Sequence, residues 1–274
     1  MEEFISSTDL STFRFRRRTP GTFALVPFPK QGRSIRCQGQ LEAAAARIFA
    51  ACPFVEEIRE QPLAIHYAWN DESEAITLLT GPPTKEFRKN HRCSYVVPDF
   101  LVSFAAGRKR LVEIKPSHKL DRPLTLRKLR VARLFAAAQG WTYHVVTERE
   151  LLAGPLLSNV RLLGRFRQLQ GDRRLLSRIV DLIGAGSTTV AEVSRHFDTI
   201  EAASLRAAVW HLVTVQRLSV DLVKEPLSDS TILFPEGRCA WDPFVSVWEP
   251  SGSTTNGIIV SFANSIPIRS SPKI

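Results

Sequence analysis

The stretch from Tyr95 to His118, YVVPDFLVSFAAGRKRLVEIKPSH, constrains this chain more than any other. It reads as two apolar strands, Tyr95–Ala105 and Arg110–Lys115, joined at Gly107, and those strands carry Asp99, Glu113 and Lys115. A carboxylate in an apolar strand is costly unless it is paired or holds a metal, so the three ionisable residues need a shared reason. Side chains two apart on a strand point the same way, which puts Glu113 and Lys115 on one face. A hairpin closing near Gly107 brings Asp99 alongside them. Hard divalent cations take oxygen ligands, and Mg2+ binds through one or two carboxylates, waters and a substrate phosphate. Asp99 and Glu113 supply such oxygens, and Lys115 is placed to orient a nucleophile and offset charge on phosphorus. The chemistry this set suits is phosphodiester hydrolysis.

The flanking segments give the hairpin a domain. QLEAAAARIFAAC (Gln40–Cys52) has Leu41, Ala45, Ile48 and Phe49 at helical spacing and stops at Pro53. Glu42, one position from Leu41, falls at the edge of the buried stripe. Leu63–Trp69 and Ala75–Thr80 read as a hairpin around NDES. Leu124–Ala138 reads as a helix ending at Gly140, and Trp141–Val146 as a strand. Strand, helix, strand is a crossover unit, so Arg110–Lys115 and Trp141–Val146 should lie parallel in one sheet. Thr147 and Glu150 form a capping-box pattern opening another short helix. The expected class is α/β with a mixed sheet. His66, His118 and His144 read as ordinary polar or core residues.

From about Leu175 the pattern changes. LLSRIVDLIGAG, STTVAEVSRHF (started by Ser187 or Thr188) and EAASLRAAVWHLVTVQRL read as three helices, and SVDLVKEPLSDSTILF as a two-stranded wing. Three helices and a hairpin make a winged helix-turn-helix. Its third helix exposes little beyond Arg206, His211, Gln216 and Arg217, too few to read base edges, so it docks either a protein or DNA backbone. The expected layout is a basic arm over 1–38, an endonuclease domain over 39–152, a winged-helix domain over 170–234 and a tail over 235–274. The arm carries FRFRRR (Phe13–Arg18), suited to phosphate contact and stacking. The tail carries Trp241, Phe244 and Trp248.

Charge and composition narrow the partners. The formal charge is +10, which favours a polyanion. Residues 1–152 hold 24 Lys and Arg against 16 Asp and Glu, and the remainder 13 against 11, so the excess lies in the first part. No apolar run reaches the ~18 residues of a membrane span, and the N-terminus lacks the apolar core of a signal peptide. A cytoplasmic protein without a membrane partner is expected. The four cysteines form no CxxC pair, which argues against structural zinc and a disulfide framework.

Pro98–Asp99 followed by Glu113–Ile114–Lys115 resembles the PD-(D/E)xK nuclease superfamily. The wider pattern is similar to the TnsA family, the endonuclease subunit of heteromeric cut-and-paste transposases. It comprises QLEAAAARIF with Glu42, EEIREQPLAIHY (Glu56–Tyr67), the hairpin, and GWTYHVVTEREL (Gly140–Leu151). The resemblance spans roughly residues 35–152 and implies a restriction-endonuclease-like mixed sheet flanked by helices, followed by a smaller winged-helix domain. It further implies that Glu42, Asp99 and Glu113 are metal ligands for Mg2+, with Mn2+ able to substitute, and that Lys115 is the catalytic lysine. Gln61 matches a glutamine that precedes proline in the family. The implied activity is hydrolysis of one DNA strand at each transposon end, beside an integrase-like transposase subunit and an AAA+ ATPase regulator. The competing readings are a stand-alone PD-(D/E)xK nuclease of restriction or junction-resolving type, and a catalytically dead DNA- or protein-binding module.

Overall fold

The computed structural model describes residues 23–169, 171–184, 186–237 and 241. They divide into two compact units: Glu57–Val145, and the described parts of Gly21–Glu56 and Val146–Val245. The FRFRRR cluster and the aromatics Phe244 and Trp248 lie outside the described residues. The expected boundaries at 39 and 152 do not coincide with this division, because the helix bearing Glu42 falls in the second unit.

The second unit opens with a hairpin, β1 (Ala24–Phe28) and β2 (Arg33–Cys37), paired with Val26 opposite Ile35. This corrects the reading of residues 1–38 as an arm over its described part. Val26, Phe28, Ile35 and Cys37 are buried at alternate positions, and Gly32, at φ 62°, turns the chain. Pro27 and the basic residues between the buried positions obscured the alternation. Helix α1 (Gln40–Ala51) follows and buries Ala43–Ala46, Ile48 and Phe49. The Lys30 ammonium closes its C-terminal end, donating to the carbonyls of Cys52, Pro53 and Val55 at 2.9, 2.8 and 2.9 Å. A cation there also complements the negative end of the helix dipole.

The first unit takes β3 (Val55–Glu60) from Glu57 onward, then β4 (Ile65–Trp69), β5 (Ile76–Leu78), α2 (Lys85–Asn90), β6 (Arg92–Val96), β7 (Phe100–Phe104), β8 (Lys109–Ile114), α3 (Pro123–Ala138) and β9 (Thr142–Val146). It is an α/β arrangement with a mixed sheet in the order β3-β7-β8-β9, beside a smaller sheet ordered β5-β4-β6. The β4–β5 hairpin is the expected one, its turn held by Asn70, whose side-chain oxygen accepts from the backbone of Glu72 and Ser73. The single strand expected over Tyr95–Ala105 is instead two strands in different sheets. Pro98 has no N–H to donate and restricts Val97 before it, so pairing breaks there and Asp99 is left at the joint. Leu129, Ala132 and Ala136 of α3 pack with Tyr67, Leu101, Leu111, Tyr143 and Val145 in one apolar cluster. Each buried leucine or valine among them contributes about 1.5–3 kcal/mol, which fixes the hairpin against its helix.

The second unit resumes with α4 (Glu148–Leu152), α5 (Leu156–Gly164), α6 (Arg173–Ile183), β10 (Thr188–Thr189), α7 (Val190–His196), α8 (Ala202–Thr214), β11 (Leu218–Ser219) and β12 (Ile232–Pro235). As expected, Glu150 accepts from the Thr147 N–H, at 3.3 Å. Helix α7 is capped by Thr189 rather than Ser187 or Thr188: its hydroxyl accepts from Glu192 N, and Glu192 accepts from Thr189 N. Thr188 and Thr189 are committed to β10, which pairs with β12, so the helix begins after them. The small sheet is ordered β10-β12-β11. Buried Asn159 of α5 donates to Leu222 and Glu225 carbonyls and accepts from Leu227 N, fixing the loop between β11 and β12. Among the described residues no helix is long and apolar enough to cross a membrane.

Candidate active site

Asp99 is held from both sides by the backbone. Its carbonyl accepts the Gln61 N–H at 2.8 Å, and its carboxylate accepts the Ile114 N–H at 2.7 Å. Gln61 makes this contact at the end of β3 with φ 44°, in the left-handed region that non-glycine residues seldom enter. A backbone anchor for Asp99 is therefore a role for the glutamine that sequence reasoning left unassigned.

The β7–β8 register sets what faces Asp99. Leu101 pairs with Leu111 and Phe100 with Val112, so the same register continued by one residue sets Asp99 opposite Glu113. Glu113 and Leu111 share the strand face turned toward α3. The Glu113 side chain is only 5% exposed, and its Oε1 lies 2.5 Å from the Nζ of Lys115, itself 31% exposed. Burial pushes the Asp99 carboxyl above the usual carboxylate range, against the opposing pull of the Lys115 charge and the Ile114 N–H. Asp99, Glu113 and Lys115 thus meet in the first unit, as the hairpin argument required.

Tyr143 completes the group and was missed in the sequence. It is 3% exposed, and its phenol is raised well above its ordinary value, first by burial and then by the negative charges of Glu113 and Asp99. The phenol therefore stays neutral, and it stands on β9, the strand next to β8. The available signal was the crossover that sets β9 next to β8, together with a tyrosine among valines on β9. Of the histidines, His144 is buried and His118 is exposed in the turn after Lys115.

Glu113 and Lys115 open into a cleft of about 510 Å³ walled by Tyr95 and Val97 on one side and by Thr125 and Lys128 of α3 on the other. Tyr95 is 52% exposed. Of the three ionisable residues, Glu113 and Lys115 line this cleft.

Glu42 belongs to the second unit, in the first turn of α1. Its carboxylate accepts the Gln38 N–H at 2.7 Å, which supports the start of a helix whose N-cap, Gly39, has no side chain to do so. Among the described residues no group of three or more His, Cys, Asp or Glu side chains is placed to hold a metal ion. The pair Asp99 and Glu113 nevertheless fits a hard cation that keeps most of its waters. Both offer carboxylate oxygens, and the β7–β8 register sets the two residues opposite one another.

A sheet end that gathers two carboxylates and a lysine at a cleft suits hydrolysis of an anionic ester. A protein-family model described as TnsA-like endonuclease N terminal matches residues 52–148, roughly a third of the 274-residue chain. The matched region is similar to nucleases related to transposases, and it contains Asp99, Glu113, Lys115 and Tyr143. No curated protein matches the chain.

Proposed function

We propose that the protein is a DNA endonuclease of the PD-(D/E)xK type acting as one subunit of a heteromeric transposase, hydrolysing one strand at each transposon end. The observation that carries this is the meeting of Asp99, Glu113 and Lys115 at the end of the β7–β8 hairpin, inside the region that matches the endonuclease family model. Asp99 and Glu113 hold Mg2+, or Mn2+ in its place, and Glu42 serves as a further ligand on the strength of the family resemblance. When bound, such an ion polarises a phosphoryl oxygen and lowers the pKa of its water. Lys115, paired with Glu113, orients the attacking water and offsets the negative charge that builds on phosphorus. Tyr143, neutral and buried, closes the floor of the site against bulk water.

The second unit supports a partner-docking role. Helices α6, α7 and α8 with the sheet order β10-β12-β11 are the element sequence of a winged helix. Polar residues of its third helix and the turn after it are already engaged: Arg206 pairs with Asp229 at 2.9 Å and His211 meets the Phe166 carbonyl at 2.8 Å, while Arg217, past the end of α8, lies 4.0 Å from Glu236. Side chains so occupied do not read bases, so the end sequence is chosen by an integrase-like transposase partner, with an AAA+ ATPase regulating the assembly.

The test mixes the full chain with DNA carrying the element ends, with and without the transposase encoded beside it, and maps breaks to the nucleotide. The proposal expects efficient cutting at the ends only with the partner. Efficient, site-specific cutting by the lone chain would instead identify a stand-alone nuclease.

A further inference from the structure

The second unit contains a groove of about 590 Å³ whose walls carry four arginines and no carboxylate. Arg47 projects from α1, where it shares a face with Gln40, seven residues earlier. Arg161, Arg165 and Arg167 come from α5 and the turn after it, with Gln168 at the end. Among the described residues, Arg47, Arg161 and Arg165 form no ion pair, and Arg161 and Arg165 are exposed. Arg167 is half-buried, and its guanidinium donates to the Pro27 carbonyl at 3.0 Å. Burial lowers its pKa, as expected of a cation removed from water without a counter-charge.

Four like charges around one groove repel one another unless an anion lies between them. A single small anion would engage one or two guanidinium forks, whereas these are spread over two helices along an open channel. The guanidinium fork matches phosphate oxygens in pairs, and Gln40 and Gln168 add neutral amide donors of the kind that position a nucleic-acid backbone. No aromatic side chain lines the groove, so it offers no stacking platform for unpaired bases. We infer that this groove binds the phosphate backbone of duplex DNA without reading sequence, as a second DNA contact separate from the Asp99–Glu113–Lys115 cleft. Naming the polyanion as DNA rests on the endonuclease reading.

The experiment uses the full chain and two unrelated labelled duplexes, with binding followed by fluorescence anisotropy over a potassium chloride series in EDTA, where no cutting occurs. Each neutralised phosphate contributes about 0.9 to the slope of log K against log salt, so Arg161→Gln with Arg165→Gln should lower that slope by about 1.8, equally on both duplexes. Arg173→Gln with Arg174→Gln removes the same charge from exposed positions on α6 in the same unit and serves as the comparison. Thermal melts at the wild-type temperature show that each pair still folds. A groove pair that changes the slope no more than the α6 pair overturns the inference. So does a groove pair that loses polyglutamate binding and keeps DNA binding, since the groove would then hold an acidic protein. If the wild type binds through the groove yet never cuts DNA carrying the element ends in Mg2+ with the transposase present, the endonuclease reading fails while the groove stands.

Discussion

Replacing Lys115 by methionine should damage stability and chemistry together, and a second substitution separates the two. Lys115 Nζ lies 2.5 Å from a Glu113 carboxylate that is only 5% exposed. Removing one member of a buried ion pair costs about 3–5 kcal/mol, because the other charge is left in a poor solvent. Lys115 keeps 31% of its side-chain surface, so the lower end applies, about 3 kcal/mol. At about 2–4 °C per kcal/mol for a chain of this size, the melting temperature falls by about 6–12 °C. Adding Glu113→Gln removes the stranded charge, so the double variant should be more stable than Lys115→Met alone while remaining inactive. Thermal melts of the four proteins close the cycle. A double variant that merely adds the two single losses would refute the buried-pair argument.

Two other expectations follow from the same geometry. Asp99 is raised by burial, so in the wild type its ionisation opposes folding at pH values above the unfolded carboxylate range; Asp99→Asn, which still accepts the Ile114 N–H, should be at least as stable as wild type at neutral pH and lose that advantage in acid, as melts across pH will show. Lys30→Met deprives three carbonyls of one cation and should cost about 1.5–3 kcal/mol, read by denaturant titration; an unchanged midpoint would show that water replaces the ammonium without loss.

Much of this was legible locally. Helices α1 and α3, the β4–β5 hairpin and the Thr147–Glu150 cap each carry their signal within a few residues, and alternation around Gly107 was enough to bring Asp99 to Glu113 and Lys115. The break at Pro98 was legible in principle, but the apolar run on both sides suggested one strand, and only the pairing of β6 with β4 and β7 with β8 separates them. Helix α5 has no counterpart in the sequence reading, although Leu156, Val160 and Leu163 repeat at helical spacing. The basic groove could not be seen from charge counts. Three of its arginines lie at 161–167, past the segment with the larger excess, and they matter because α5 packs on α1, more than a hundred residues earlier. Tyr143 likewise joins the site only through sheet order.

The most direct test of the central claim is the single-turnover rate of DNA strand cleavage in Mg2+ by the wild type and by Asp99→Asn, each with the transposase partner present. Groups that merely support a metal ligand cost about 10–100-fold when removed, so losing the Asp99 carboxylate itself should slow cleavage by about a hundredfold or more, with a melting temperature at neutral pH no lower than that of the wild type. An Asp99→Asn protein that cuts at the wild-type rate would contradict the assignment of this cleft as the active site.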